Sequence, residues 1–321
     1  MKDQITELFN QQLLEWDTAR HFYTALNEVK VKETEVNGCR YQIQFNPARI
    51  VSSGAKVDAK TIQERKCFLC GANRPAVQKG IDFNGHYTIL INPFPIFPKH
   101  FTIAEKEHTE QLILPRFGDM LDLAKAMEDY VIFYNGPKCG ASAPDHAHFQ
   151  AGNKGFLPLE KEWKNHITEK ISDNLFAINY GFPAFVITAS QPHEREEKDG
   201  HSEAISLFEK IYDALTVNND ETEPMMNVLA WYETSTTGGE GTVVVVVIPR
   251  AKHRPDCYFA EGDENILISP AAVDLGGVFI TPLEKDFEKI TDKNVAEILG
   301  EVCLNKSTAE KLLAKLKELT L

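Results

Sequence analysis

The same order of elements can be read twice in this chain, about 100 residues apart, and a degenerate structural duplication is what most constrains its fold. The first copy opens with a strand over residues 86–91, stopped by Asn92-Pro93-Phe94-Pro95 because proline cannot donate to a ladder. Phe117, Met120, Leu121, Ala124 and Met127 then recur at helical spacing. A short strand over 131–134, a small-residue loop over 140–144 and a strand over 146–150 complete the copy. In the second copy, 184–189 is a strand, 190–200 a polar loop and 204–215 a helix with Ile205, Phe208, Ile211, Tyr212 and Leu215 on one side. Residues 225–232 and 242–248 are its two closing strands.

Outside the copies, residues 5–26 form an amphipathic helix marked by Ile5, Leu8, Phe9, Leu13 and Trp16. Residues 40–45 alternate, with Tyr41, Ile43 and Phe45 on one face, as a half-buried strand does. Near the end Val295, Ile298, Leu299 and Val302 share a helical face, and Ser307-Thr308-Ala309-Glu310 has the form of a capping box. The expected class is α+β, antiparallel sheets flanked by helices, in two halves, 1–165 and 166–321. No long linker separates the halves, so they pack as one body.

Lys+Arg 34 against Asp+Glu 47 leaves a net charge of −13, which repels nucleic-acid phosphates and anionic lipid surfaces. The apolar run 243–248 is far too short to span a bilayer. The N-terminal stretch is amphipathic and lacks the apolar core of a signal peptide. Six cysteines in 321 residues are too sparse for a disulfide scaffold. A reducing cytoplasm is the expected setting, with Cys67 and Cys70, the only close pair, as metal ligands or a redox couple.

His146, His148 and Gln150 sit at i, i+2 and i+4, which on a strand places all three on one face while Ala147 and Phe149 turn into the packing behind. Gly140, Ala141 and Ser142 precede them, and small residues let backbone N–H groups approach a phosphate closely. Two surface histidines on an exposed strand are the plainer alternative. Cys67-x-x-Cys70-Gly71 is a two-thiolate half-site for zinc, with His108 and His146 available as nitrogen donors and His100 competing with His108. Pro249-Arg250-Ala251-Lys252-His253-Arg254 gathers basic groups behind a buried strand. It is either a solvated cluster or, through Arg250, a phosphate contact. His193 and His201 belong to a polar stretch and receive no role.

Cys67-Phe-Leu-Cys70-Gly-Ala-Asn73-Arg74, Tyr87-Thr-Ile-Leu-Ile-Asn92-Pro-Phe94-Pro95, Asn135-Gly136, Gly140-Ala-Ser142 and His146-Ala-His148-Phe-Gln150 together resemble galactose-1-phosphate uridylyltransferase. That family belongs to the transferase branch of the histidine-triad (HIT) superfamily, with the Ap4A phosphorylases and GDP-hexose phosphorylases. Pro98-Lys99-His100 resembles a general HIT element. The likeness covers about residues 40–150 and is weaker over 180–280, where 227–232, 243–250 and 269–277 resemble the second half of the phosphorylases. It implies two HIT-like half-domains, the second degenerate.

The resemblance makes His148 the nucleophile and Gln150 the glutamine that binds the phosphoryl oxygens. It assigns Asn135, Gly140 and Ser142 to the nucleotide phosphates, Asn92 to the ribose, and Cys67, Cys70, His108 and His146 to a structural zinc. Asp145 is an insertion relative to the usual spacing, and Pro93 stands where the uridylyltransferases carry an acidic residue. The implied activity is nucleotidyl transfer or phosphorolysis of a nucleoside diphosphate sugar or dinucleoside polyphosphate, through a covalent nucleotidyl-histidine. Hydrolysis by the same first step, or zinc-stabilised nucleotide binding without turnover, are the alternatives. The likeness also suggests a homodimer.

Overall fold

Residues 243–248, five valines and an isoleucine, lie in a strand whose side chains are buried alternately on its two faces. Val243, Val245 and Val247 enter one apolar core, and Val244, Val246 and Ile248 enter another. Branched side chains suit such a strand, because their restricted χ1 fits a pleated surface packed on both sides. A computed structural model describes residues 1–50, 54, 58–191, 199–217, 221–235 and 241–320. In it this strand is one of ten in an antiparallel sheet.

Two strands form an outlying hairpin first, β1 (Lys30–Val36) and β2 (Cys39–Phe45). The large sheet takes β3 (Gly80–Phe83), β4 (Tyr87–Ile91), β5 (His100–Glu105), β6 (Tyr130–Asn135) and β7 (His148–Asn153) from the first half of the chain. From the second half it takes β8 (Ile167–Lys170), β9 (Leu175–Asn179), β10 (Pro183–Gln191), β11 (Met226–Glu233) and β12 (Gly241–Pro249). The spatial order is β3-β4-β5-β7-β6-β11-β12-β10-β9-β8. Each half is therefore a three-strand meander followed by two strands, the last of which inserts beside the meander. The halves join where β6 pairs antiparallel with β11, Asn135 opposite Asn227. A final strand, β13 (Val278–Thr281), runs parallel to β2 and completes a three-stranded sheet.

Helices cover both faces. In chain order they are α1 (Lys2–Glu15), α2 (Asp17–Ala25), α3 (Ala59–Glu64), α4 (Phe117–Ala126), α5 (Pro158–Glu162), α6 (Asp199–Ala214), α7 (Ala272–Leu275), α8 (Glu284–Lys289), α9 (Asp292–Val302) and α10 (Lys306–Thr320). Side chains of α1, α4, α6 and α10 fill one core. Those of α5, α7, α9 and the three-stranded sheet fill the other. The α+β class, antiparallel sheets flanked by helices, is the observed one. No helix among the described residues is long and apolar enough to cross a membrane.

Three expectations are corrected. The single helix over 5–26 is two, because Trp16 adopts an extended conformation (φ −113°, ψ 99°) between α1 and α2, and its buried indole turns toward the cavity described below. The strand over 146–150 begins only at His148, so His146 lies off the strand face. The last helix is capped by Asn305, whose Oδ1 accepts from Thr308 N (2.9 Å), two residues before the expected Ser307. β1 and β3 were not expected. β1 is paired through a two-residue turn, Asn37-Gly38, and β3 through a three-residue one, Asn84-Gly85-His86, and both Asn-Gly pairs have positive φ, the geometry that matches strand twist. The polar stretch with His193 lies outside the described residues.

Candidate active site

Phe149 and Ala151 of β7 point into the core shared with α4, so His148 and Gln150 point the other way. There they line a cavity of about 650 Å³, together with Asn92, Asn135, Gly140 and Ser142. Six of the residues expected at the catalytic and nucleotide-binding site thus line one cavity.

The His148 ring is oriented by its own neighbourhood. Nδ1 lies 2.8 Å from the His146 carbonyl, which can only accept, so Nδ1 carries the proton and Nε2 keeps a free lone pair. Burial holds the imidazole neutral, lowering its pKa to about 4. Gln150 is fixed in the same manner. Ile96 N donates to His100 Nδ1 (3.2 Å), so the proton of His100 sits on Nε2 and is donated to Gln150 Oε1 at 2.9 Å. Asn92 Nδ2 approaches that same oxygen at 3.5 Å. Gln150 therefore has only its NH₂ donors left to offer. His100, neutral through burial with a pKa of about 3, holds the glutamine and is not a metal ligand.

The small-residue loop has the close approach that its composition implied. Gly140 has φ +95°, and an added Cβ would meet the Cβ of Ala271 at 2.5 Å. The loop is thus overlaid by a segment of the second half, and Ser269, Ala271, Val273 and Asp274 line the same cavity. Asn135 Oδ1 accepts from Asn227 Nδ2 (2.8 Å) and Ala272 N (2.9 Å), which leaves its Nδ2 for a ligand.

Arg250 does not reach the cavity, contrary to the phosphate-contacting role considered for it. Its guanidinium is buried and all five donors are used within the protein. Nε donates to the Val302 carbonyl, Nη1 to Asn227 Oδ1 and the Pro270 carbonyl, and Nη2 to the carbonyls of Lys252 and His253, at 2.6–3.0 Å. Arg250 pins Asn227, which in turn holds Asn135.

The cavity's cations are two residues to which no role was assigned. Arg49 donates from Nη1 to the Phe94 carbonyl (2.6 Å), and its guanidinium has no other hydrogen-bond partner among the described residues. Burial lowers its pKa to about 10, and Asp274 offsets part of that. Arg65 pairs with Asp145 (2.6 Å) and lies over the Phe68 ring. Trp16, Phe68, Leu69, Leu90 and Phe94 give the cavity apolar walls.

Beside it, Cys67, Cys70, His108 and His146 present one donor atom each, all within 4.8 Å of one another. The Sγ to Nδ1 separations are 3.3 Å for Cys67–His146, 3.2 Å for Cys70–His108 and 3.5 Å for Cys70–His146, and the two Nδ1 atoms are 3.2 Å apart. Tetrahedral zinc with its usual bond lengths sets S···N edges of about 3.5 Å and N···N edges of about 3.3 Å, so the donors fit that ion. Burial raises the Cys67 thiol, yet the His146 ring and the N–H groups of Leu69 and Cys70 bring it down to about 6. The second nitrogen of each histidine is also spoken for. His146 Nε2 lies 2.8 Å from the Glu105 carbonyl, and His108 Nε2 faces Asp145 at 3.9 Å. The inserted Asp145 thus links His108 to Arg65. The Cys/His cluster and the His148 ring are joined through one carbonyl, since that of His146 orients the ring.

A model described as a domain of unknown function, DUF4922, matches residues 8–153. Among curated proteins, Saccharomyces cerevisiae Protein APA1 is 23% identical over 252 residues, 69% of this chain and 68% of that protein. Diadenosine 5',5'''-P1,P4-tetraphosphate phosphorylase 2 of the same yeast is 22% identical over 190 residues, 53% of this chain and 58% of its own length. Among solved structures, yeast Ap4A phosphorylase Apa2 in complex with Ap4A superposes with a TM-score of 0.58 at 16% identity, covering 89% of this chain and 96% of that one. The complex with AMP gives 0.56 at 18% identity, over 92% and 97%. The two chains share a fold.

Proposed function

We propose that this protein, built on the fold of Ap4A phosphorylase, transfers a nucleotidyl group from a dinucleoside polyphosphate or a nucleoside diphosphate sugar through a covalent intermediate on His148. The observation that carries the proposal is the tautomer of His148: a neutral imidazole whose Nε2 lone pair is unused, in the cavity that also holds Gln150 and the Gly140 loop. Both curated relatives named above are yeast proteins, and one of them is named as a diadenosine tetraphosphate phosphorylase, which favours the dinucleotide as donor.

In the first step Nε2 attacks the α-phosphorus in line, and the bond from that phosphorus to the bridging oxygen breaks. The leaving phosphate carries away the electron pair. Gln150 Nε2, Asn135 Nδ2, Ser142 and backbone N–H groups around Gly140 are the donors for charge on the equatorial oxygens. Arg49 and Arg65 supply positive charge to a polyphosphate in a protein that is otherwise acidic. In the second step an acceptor phosphate or sugar phosphate takes the nucleotidyl group and frees His148. Holding nucleophile and phosphorus together supplies about 7–11 kcal/mol of barrier lowering when the geometry is right.

Cys67, Cys70, His108 and His146 would hold a zinc ion, and with four protein ligands its contribution would be structural. These residues fix the 146–148 segment and so the carbonyl against which the His148 ring is set. The junction between the halves is placed near residue 165, between β7 and β8.

The test is intact-protein mass after incubation with Ap4A, UDP-glucose and GDP-glucose in separate tubes, for wild type and His148→Ala. The expected result is an acid-labile gain of one nucleoside monophosphate in wild type only. No adduct with any donor, or an adduct that persists in His148→Ala, overturns the mechanism.

A further inference from the structure

The ladder between β6 and β7 runs from Tyr130 opposite Asn153 to Phe133 opposite Gln150. Two residues further along each strand Asn135 would stand opposite His148, and the rung there is replaced. The side chain of Gln111, itself buried, enters between the strands. Its Oε1 accepts from His148 N–H (2.7 Å), and its Nε2 donates to the carbonyls of His148 (3.0 Å) and Asn135 (3.0 Å). A carboxamide is chemically a peptide unit, with one acceptor and, here, two donors, and every one of these is used. It serves three of the four backbone groups of that rung while the strands part around it. The two residues so separated are His148 and Asn135, and both line the cavity.

Gln111 is held in turn. Its N–H donates to the Pro144 carbonyl (3.3 Å), its carbonyl accepts from Tyr134 Oη (3.0 Å), and nearby Ala147 N–H donates to the Thr109 carbonyl (2.8 Å). Tyr134 Oη also contacts Glu223 Oε1, whose Oε2 accepts from Ile113 N (2.9 Å). The 109–113 segment is fastened on both sides of Gln111, so the wedge is rigid.

We propose that Gln111 is a positioning residue for the nucleotidyl transfer proposed above: as a surrogate rung it sets the spacing between the His148 imidazole and Asn135. The inference rests on the His148 reading for its kinetic consequence and on the ladder alone for its structural one. A displacement of about 1 Å at a reacting group costs about a hundredfold in rate.

The experiment compares wild type with Gln111→Met, which keeps length and loses all three hydrogen bonds, and Gln111→Glu, which keeps the acceptor and loses both donors. Single-turnover formation of the nucleotidyl-enzyme from Ap4A should slow about a hundredfold in both, with AMP affinity changed by less than about threefold. The ¹⁵N-imidazole spectrum of His148 should lose its single Nδ1-protonated signal. A purely structural role would lower the melting temperature and leave the rate of the folded variant unchanged, and that result overturns the proposal. Amide exchange in wild type decides independently. His148 N–H should be protected as strongly as its β7 neighbours although it has no ladder partner, and rapid exchange there refutes the wedge even if neither variant folds. Should wild type form no adduct, the transfer mechanism fails, while the exchange and imidazole measurements still judge Gln111.

Discussion

Replacing Arg250 separates the two roles a basic residue can have behind this strand. In Arg250→Met the stem volume is kept and five hydrogen bonds from a buried cation are lost. The carbonyl of Val302 retains Ala251 N–H at 2.9 Å, so that acceptor is not wholly orphaned. Asn227 Oδ1 and the carbonyls of Pro270, Lys252 and His253 do lose this donor. A buried acceptor left without its donor costs about 1–3 kcal/mol, so four of them cost at least about 4 kcal/mol. For 321 residues the unfolding entropy is about 0.7 kcal/mol/K, so a loss of about 4 kcal/mol lowers the melting temperature by about 6 °C. Urea unfolding gives the stability, and KM for the donor is measured at a temperature where the variant is folded. A stability within about 1 kcal/mol of wild type, together with a KM raised tenfold, would refute the structural assignment and restore Arg250 to the phosphate site.

Substituting Cys67→Ser together with Cys70→Ser should release one equivalent of zinc and lower stability, measured by metal analysis and thermal unfolding; equal metal content in the variant rules the site out. Arg49→Gln should raise KM for a polyphosphate donor about tenfold with a smaller change in kcat, since a hydrogen bond from a charged group contributes about 1.5–3 kcal/mol; an unchanged KM means that Arg49 meets no ligand. Burial raises Glu223 from its usual 4.5 to about 7, despite its bonds from Tyr134 and Ile113 N. The stability it contributes is then complete below pH 4.5 and is lost as pH rises through 7, on the order of 3 kcal/mol in all. Glu223→Gln should flatten that decline, and urea midpoints that stay parallel from pH 5 to 8 would show that Glu223 is not its source.

What could be read from residues alone was set by how locally each feature is determined. His148 and Gln150 are two apart on one strand, so their common face follows from the period of two. The cysteine pair lies within one tight turn, and His146 is joined to His148 by a short stretch of chain. Arg49, Arg65, Gln111 and Trp16 carry no such pattern. Arg49 reaches the site because β2 pairs with β13, more than 200 residues on, and Gln111 because a side chain replaces a backbone rung. The carbonyls that consume Arg250 are likewise invisible in a run of basic letters. β1 and β3, by contrast, were legible in principle. Asn37-Gly38 and Asn84-Gly85 are hairpin turns by composition, and each flanks a strand.

The sheet repeats its strand order, yet among the described residues the candidate site occurs once, and the residues of β12 give the reason. Where β7 begins His148-Phe149-Gln150, β12 begins Gly241-Thr242-Val243. On the face that His148 and Gln150 occupy in β7, away from the core of Phe149 and Val243, β12 carries Thr242, Val244, Val246 and Ile248 and no imidazole. The rest of β12 is apolar on both faces and serves the two cores. What the second half gives to the first is support. Asn227 and the Ala272 N–H hold Asn135, Ala271 closes over Gly140, and Arg250 fixes Asn227 from behind. The half that carries His148 thus depends on the other half, because the side-chain oxygen of Asn135 takes both of its hydrogen-bond donors from across the β6–β11 seam.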